Sequence, residues 1–177
     1  MSGDHRRPYE RLRRRFQKQK RASRYQIKSD KLSECKNKEK VEAMKTAYVF
    51  AGQGAQYPGM GRDLYEKYPE AKAVFDAAGD RIKQLCFEGT AEQLKETENT
   101  QPCVYTMTMA AYEAFRAALK ASGEAEGAEP YAMAGFSLGE YSAMTAAGII
   151  TDIKTGTELM ENRGRWMGEA GRDEDGN

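Results

Sequence analysis

The chain has 177 residues, of which 40% are hydrophobic and 31% are charged, and its formal net charge is +1. At roughly 150 residues per domain, this length predicts one domain with a tail. No run of the sequence approaches the ~20 apolar residues that a membrane-spanning helix needs, which excludes a transmembrane protein. The three cysteines, Cys35, Cys86 and Cys103, are too widely spaced for a disulfide framework or a Cys-x-x-Cys zinc site. We therefore expect a cytoplasmic protein in a reducing environment.

The charge is distributed unevenly along the chain. Residues 1–43 contain 15 Lys/Arg and 6 Asp/Glu, a net of +9, whereas residues 44–177 contain 13 and 21, a net of −8. The basic segment has few aliphatic residues, and these follow no helical or strand period, so we expect it to be disordered. A nucleic-acid-binding arm is the less favoured alternative. We prefer to interpret the segment as an extension ahead of a start at Met44, where the patterned sequence begins.

Two short apolar runs in the patterned segment predict buried strands. The first covers residues 47–51 and ends in Gly52-Gln53-Gly54, and the second covers residues 131–136. Helical periodicity separates and follows these strands. The predicted helices are residues 69–83, a short helix at 91–95, a mostly buried helix from about 100 to 119 with Thr100 as N-cap and Pro102 in its first turn, residues 142–147, and a helix capped by Thr151 or Asp152 that runs to about 168.

The second strand runs into Gly135-Phe136-Ser137-Leu138-Gly139, a G-x-S-x-G motif between a strand and a helix. A nucleophile elbow needs this context, because a sharp turn presents the serine hydroxyl free of backbone crowding. The N–H of Leu138, the first residue of the following helix, is then directed to the position where an oxyanion develops. The alternative is an ordinary glycine-rich turn with a solvated serine.

Four motifs follow one another in residues 44–177 and together resemble the first part of a known family. They are YVFAGQGAQYPGMG, TQPCVYTMTMAAY, AGFSLGEYSAMTAAGII and ENRGRWMGEA. In this order and spacing they resemble the malonyl-CoA:acyl carrier protein transacylases of bacterial fatty-acid synthesis. The resemblance implies the N-terminal part of an α/β-hydrolase-like acyltransferase core, with parallel strands and a serine nucleophile elbow. The ferredoxin-like subdomain of that family would be absent.

The resemblance also implies roles for individual residues. Ser137 would carry the malonyl ester and pass it to the phosphopantetheine thiol of acyl carrier protein. The backbone N–H of Gln53 would join that of Leu138 in the oxyanion hole. Arg163 would bind the malonyl carboxylate, since a planar guanidinium suits bidentate binding, and Gln101 would line the pocket. The family implies no cofactor beyond malonyl-CoA and acyl carrier protein, no metal and no membrane.

Two departures from the family pattern are visible in the sequence. Phe136 stands where the family often has histidine, and the family's catalytic histidine lies in a later segment, whereas the single histidine of this sequence is His5. We therefore expect a truncated form that is weakly active or inactive. An α/β serine hydrolase and a non-catalytic fragment with a basic interaction arm are the alternatives. For Arg163 the alternative to a carboxylate-binding role is a solvated cation on a charged helix face.

Overall fold

The computed structural model describes residues 45–123 and 129–171, so the predictions for residues 1–43 and for a start at Met44 lie outside the described residues. None of the helices in these two ranges is long and apolar enough to cross a bilayer. The described elements are β1 (Ala47–Phe50), α1 (Arg62–Lys67), α2 (Pro69–Ala78), α3 (Asp80–Glu88), α4 (Ala91–Lys95), α5 (Thr97–Ser122), β2 (Ala132–Gly135), α6 (Leu138–Ala146) and α7 (Ile153–Ala170).

The two described strands form a parallel pair, with Ala47 opposite Ala132 and Phe50 opposite Gly135. This arrangement confirms the predicted α/β class with parallel strands. The carboxyl ends of parallel strands lie at the same edge of a sheet, so the turns that follow β1 and β2 are neighbours. The contact is close, because a Cβ atom at Gly52 would lie 2.7 Å from the carbonyl oxygen of Phe136.

One face of β1 is covered and the other is not within the described residues. The rings of Tyr48 and Phe50 make edge-on contacts with Tyr112 of α5, at centroid distances of 6.1 and 5.7 Å. Val49 points to the opposite face and is 78% exposed. The prediction of a buried strand therefore holds for β1 only on the face of Tyr48 and Phe50, which the described helices cover. It is wrong for β2 within the described part of the chain, because the residues of β2 are exposed or half-buried.

Helix α5 is the buried centre of the described residues, as its low charge predicts, but it begins earlier than expected. Its N-cap is Glu96, so Pro102 is the sixth helical residue and does not lie in the first turn. The hydroxyl of Thr100 is not a cap. It lies 2.5 Å from the carbonyl oxygen of Leu94 and 3.0 Å from that of Glu96. A threonine inside a helix can donate its hydroxyl to a preceding carbonyl oxygen. Thr100 therefore does not need to be an N-cap for its hydroxyl to be hydrogen-bonded.

The periodic stretch at residues 69–83 forms parts of two helices, whereas the sequence predicts one. Gly79 lies between α2 and α3 with φ 93° and ψ 161°. This backbone conformation is open to glycine and breaks a helix. The apolar positions Ala71, Val74 and Phe75 are buried as predicted. The short helix α4 and the capping of α7 by Asp152, which accepts the Thr155 N–H at 2.8 Å, also agree with the sequence.

Helices α5 and α7 pack against each other through two glycines of α7. A Cβ atom at Gly164 would lie 2.7 Å from Glu98 Cα and 2.8 Å from the Thr97 carbonyl oxygen, and one at Gly156 would overlap the Tyr105 side chain. Backbone therefore lies directly on backbone at Gly164. This close approach brings the preceding residue, Arg163, to the N-terminal half of α5.

We predict that Gly164→Ala lowers the unfolding temperature of the chain. The added methyl group meets backbone atoms of α5, and overpacking of this kind costs about 1–3 kcal/mol. The matched control is Gly168→Ala on the same helix, where a Cβ atom meets nothing within 4 Å. That variant should be neutral or more stable by up to about 1 kcal/mol, since alanine favours a helix. Equal unfolding temperatures for Gly164→Ala and Gly168→Ala would show that α5 and α7 are not tightly packed at Gly164.

Candidate active site

Ser137 lies in the turn between β2 and α6, in a backbone conformation that is unusual for a residue with a side chain. Its φ is 55° and its ψ is −107°. Among the described residues it is the one non-glycine residue with a positive φ. A conformation of this kind costs about 1–3 kcal/mol and persists only where the surroundings impose it. The observed strand, sharp turn and helix match the context that the G-x-S-x-G motif predicts.

The two motif glycines make the turn possible. A Cβ atom at Gly135 would lie 2.0 Å from the carbonyl carbon of Gly139, and a Cβ atom at Gly139 would lie 2.3 Å from the Phe50 carbonyl oxygen. The start of α6 therefore touches both strands where they end. Any larger residue at either position would push the serine out of its turn.

Glu140 supports the same turn and is not among the predicted site residues. Its carboxylate accepts the backbone N–H of Ser137 at 3.2 Å. The signal that could have revealed it is the Ser-x-x-Glu spacing, which is typical of a capping box at a helix start. The hydrogen bond offsets part of the cost of the strained serine backbone.

Arg163 reaches across from α7 to the serine. Its Nη2 atom donates a hydrogen bond to Ser137 Oγ at 3.0 Å, and its Nη1 atom donates to Gln101 Oε1. The side chain is half-buried. Arg163 is thus not the solvated surface cation of the alternative interpretation but a fixed positive charge beside the candidate nucleophile.

Gln101 connects Arg163 to the turn that follows β1. It is completely buried. Its Nε2 group donates to Gln53 Oε1 at 2.8 Å, while its Oε1 atom accepts from Arg163. Both ends of this amide are therefore occupied by protein groups. The structure thereby brings four predicted site residues into one chain of hydrogen bonds, in the order Gln53, Gln101, Arg163 and Ser137.

The fifth predicted residue, Leu138, is the first residue of α6 and is buried. The N–H groups in the first turn of a helix have no partner within the helix, and the helix dipole adds a partial positive charge there. The N–H of Leu138 is one of these groups and is adjacent to the serine in sequence. Its role, and that of the Gln53 N–H, as oxyanion donors stays a prediction.

The other potential acyl acceptors near the core are inaccessible or poorly reactive. Cys86 and Cys103 are both buried as free thiols. Hydrogen bonding to Cys103 and burial raise the pKa of the Cys86 thiol well above its usual range, so it stays protonated. Within the two described ranges, no cluster of three His, Cys, Asp or Glu residues could hold a metal ion. Of Cys86, Cys103 and Ser137, Ser137 is the one that is not buried.

A tyrosine that the sequence analysis did not select also contacts the site. The guanidinium carbon of Arg163 lies 5.5 Å from the ring centroid of Tyr141, a cation–π distance. The signal that could have revealed it is spacing, because Tyr141 follows Ser137 by four residues and so lies on the same face of α6.

The chain is similar to a known protein family and to curated proteins. The acyl transferase domain family matches residues 47–175. A malonyl CoA-acyl carrier protein transacylase of Bacillus subtilis (strain 168) is 42% identical over 130 residues, which are 71% of this chain and 38% of that protein. The chain therefore spans about two fifths of the length of this curated relative.

Solved structures with the same fold agree with the sequence match. A malonyl CoA-acyl carrier protein transacylase from Clostridium perfringens is 36% identical, with a TM-score of 0.62, over 74% of this chain and 40% of that one. A malonyl-transacylase in complex with its type II polyketide synthase acyl-carrier protein is 38% identical, with a TM-score of 0.59, over 72% of this chain and 40% of that one. The described fold is thus part of an acyltransferase core, as the motifs predict.

We predict that Gln101→Leu destabilises the chain. The substitution removes both hydrogen bonds of a completely buried side chain, those with Arg163 and with Gln53, and a hydrogen bond to a charged group contributes about 1.5–3 kcal/mol. Gln84→Leu is the matched control, since Gln84 is exposed on α3 and a surface substitution changes stability by about 0.5 kcal/mol or less. Thermal unfolding followed by circular dichroism measures both. An unchanged unfolding temperature in Gln101→Leu would contradict the linking role of Gln101.

Proposed function

Since the chain belongs to the acyl transferase domain family, we propose that it takes part in transferring a malonyl group from malonyl-CoA to acyl carrier protein. The observation that carries this proposal is the hydrogen bond from Arg163 Nη2 to Ser137 Oγ at 3.0 Å. It puts a fixed guanidinium next to a nucleophile, as an acyl group with its own carboxylate requires.

In the first step, Ser137 Oγ attacks the thioester carbonyl carbon of malonyl-CoA. The carbonyl oxygen becomes an oxyanion, which the N–H groups of Leu138 and Gln53 stabilise. The carbon–sulfur bond then breaks, CoA leaves as the thiol, and a malonyl ester remains on Ser137. The hydroxyl proton passes to a base and from there to the departing sulfur.

Arg163 makes the site selective for acyl groups that end in a carboxylate. A planar guanidinium can hold both carboxylate oxygens through parallel N–H donors. Gln101 keeps the guanidinium in place, because its buried amide accepts a hydrogen bond from Arg163 and donates one to Gln53. The same contacts place the turn that carries the Gln53 N–H.

In the second step, the phosphopantetheine thiol of acyl carrier protein attacks the malonyl ester, and the serine hydroxyl is restored. The relative described above in complex with its acyl-carrier protein supports this partner. We place the reaction in the cytoplasm, with no cofactor beyond the two substrates.

The lack of a positioned general base among the described residues limits the rate at which this chain by itself can transfer an acyl group. A positioned base is typically worth 10²–10⁴ in rate, and the one histidine in the sequence, His5, lies outside the described residues. We therefore expect this chain by itself to become acylated slowly and to turn over poorly. A histidine supplied by a further segment or a second chain should raise both rates.

Hydrolysis of simple esters fits the same serine less well. A serine hydrolase has no need of a cation at the nucleophile, whereas Arg163 is held beside Ser137 by a buried amide. The serine elbow fits both functions, and the contact of Arg163 with Ser137 favours the transferase.

We predict that Arg163→Ala slows acylation of the chain by malonyl-CoA about 10- to 150-fold, because the acyl carboxylate loses a charge-assisted partner worth about 1.5–3 kcal/mol. Acylation by acetyl-CoA, which has no carboxylate on its acyl group, should fall much less. Arg165→Ala is the matched control, since Arg165 is exposed two residues further along α7 and donates to Asn162 Oδ1. Intact-mass spectrometry over time measures the adducts. An equal loss with both thioesters would show that Arg163 is only structural.

A further inference from the structure

The aromatic ring of Tyr141 is a fixed surface beneath the Arg163 guanidinium. The ring is half-buried and packs against the hydrophobic core. It belongs to α6, which is tied to α5 one turn further on, where Thr145 Oγ1 lies 3.0 Å from the Tyr105 hydroxyl. Arg163 belongs to α7, which rests on the same helix α5 at Gly164. Ring and guanidinium are thus held by two helices with a common support.

From this arrangement we infer that Tyr141 is a positioning residue for Arg163, and through it sets the preference for carboxylated acyl groups. The inference rests on the proposed function. The separation of 5.5 Å between the guanidinium carbon and the ring centroid lies within the range of a cation–π interaction. The contact is separate from the hydrogen bonds that Arg163 donates to Gln101 and Ser137.

The contact with the ring matters during acyl transfer. A guanidinium has five N–H donors, and Nη1 and Nη2 each donate one of theirs, to Gln101 and Ser137, so the remaining N–H groups can bind an acyl carboxylate. The ring contact is made in addition to these two hydrogen bonds. Tyr141 therefore helps to keep the guanidinium beside Ser137 while the remaining N–H groups bind the carboxylate.

The test changes the electrostatic potential of the ring face and keeps the aromatic ring itself. Tyr141→Phe retains the aromatic face, whereas trifluorophenylalanine at position 141, with fluorine atoms on the ring edge, weakens the negative potential of that face. In the full chain, Tyr141→Phe should keep the wild-type ratio of malonyl to acetyl acylation rates at Ser137. In the fluorinated variant this ratio should be about two- to fivefold lower than in Tyr141→Phe, which is the range typical of an exposed cation–π contact. A purely structural ring would give the same ratio in both variants, which would overturn the inference.

A second measurement is independent of the proposed function. Phenylglyoxal modifies accessible guanidinium groups, and peptide mass mapping reports its rate at Arg163, with exposed Arg165 as the reference within the same chain. Arg163 should react faster in the fluorinated variant than in Tyr141→Phe, while Arg165 reacts equally. If wild-type Ser137 takes up no malonyl group, the proposed function fails and this rate alone decides the role of Tyr141. Equal modification of Arg163 in the two variants would then refute it.

Discussion

The hydrogen bonds of one buried amide hold the candidate site together. Gln101 accepts from Arg163 and donates to Gln53, and Arg163 in turn donates to Ser137. Three segments far apart in sequence thereby meet at one point: the turn after β1, the turn after β2 and the middle of α7. Without the Gln101 amide, the half-buried Arg163 guanidinium would lose a hydrogen-bond acceptor. The geometry of the site therefore depends on Gln101.

The rest of the fold supplies the close approaches that this chain of hydrogen bonds needs. Gly164 lets α7 lie directly on α5, and Gly139 lets α6 start against the end of β1. Parallel pairing of the strands brings both turns to the same sheet edge. The strained conformation of Ser137 is held by that packing and by the Glu140 carboxylate. Stability elsewhere in the molecule thus offsets strain at the nucleophile.

Local sequence signals predicted the parts of this arrangement that depend on neighbours in the chain. The elbow at Ser137 and the cap at Asp152 follow from motif and spacing, and both are observed. The break at Gly79 and the early start of α5 were missed, since a helical period continues through a glycine and a threonine can satisfy its hydroxyl inside a helix. Tyr141 was missed because its spacing places it near Ser137 but does not show that it meets Arg163, which lies on a different helix.

The most direct test of the central claim is to map the acyl adduct after the chain is incubated with malonyl-CoA. Peptide mass spectrometry should find the malonyl group on the peptide with Ser137, and Ser137→Ala should abolish it. Ser142→Ala is the matched control from the same helix, since the Ser142 hydroxyl is buried and has no hydrogen-bond partner among the described residues. Its adduct should match that of the wild type. A malonyl group on Cys86 or Cys103 that survives Ser137→Ala would contradict the assignment of Ser137 as the nucleophile.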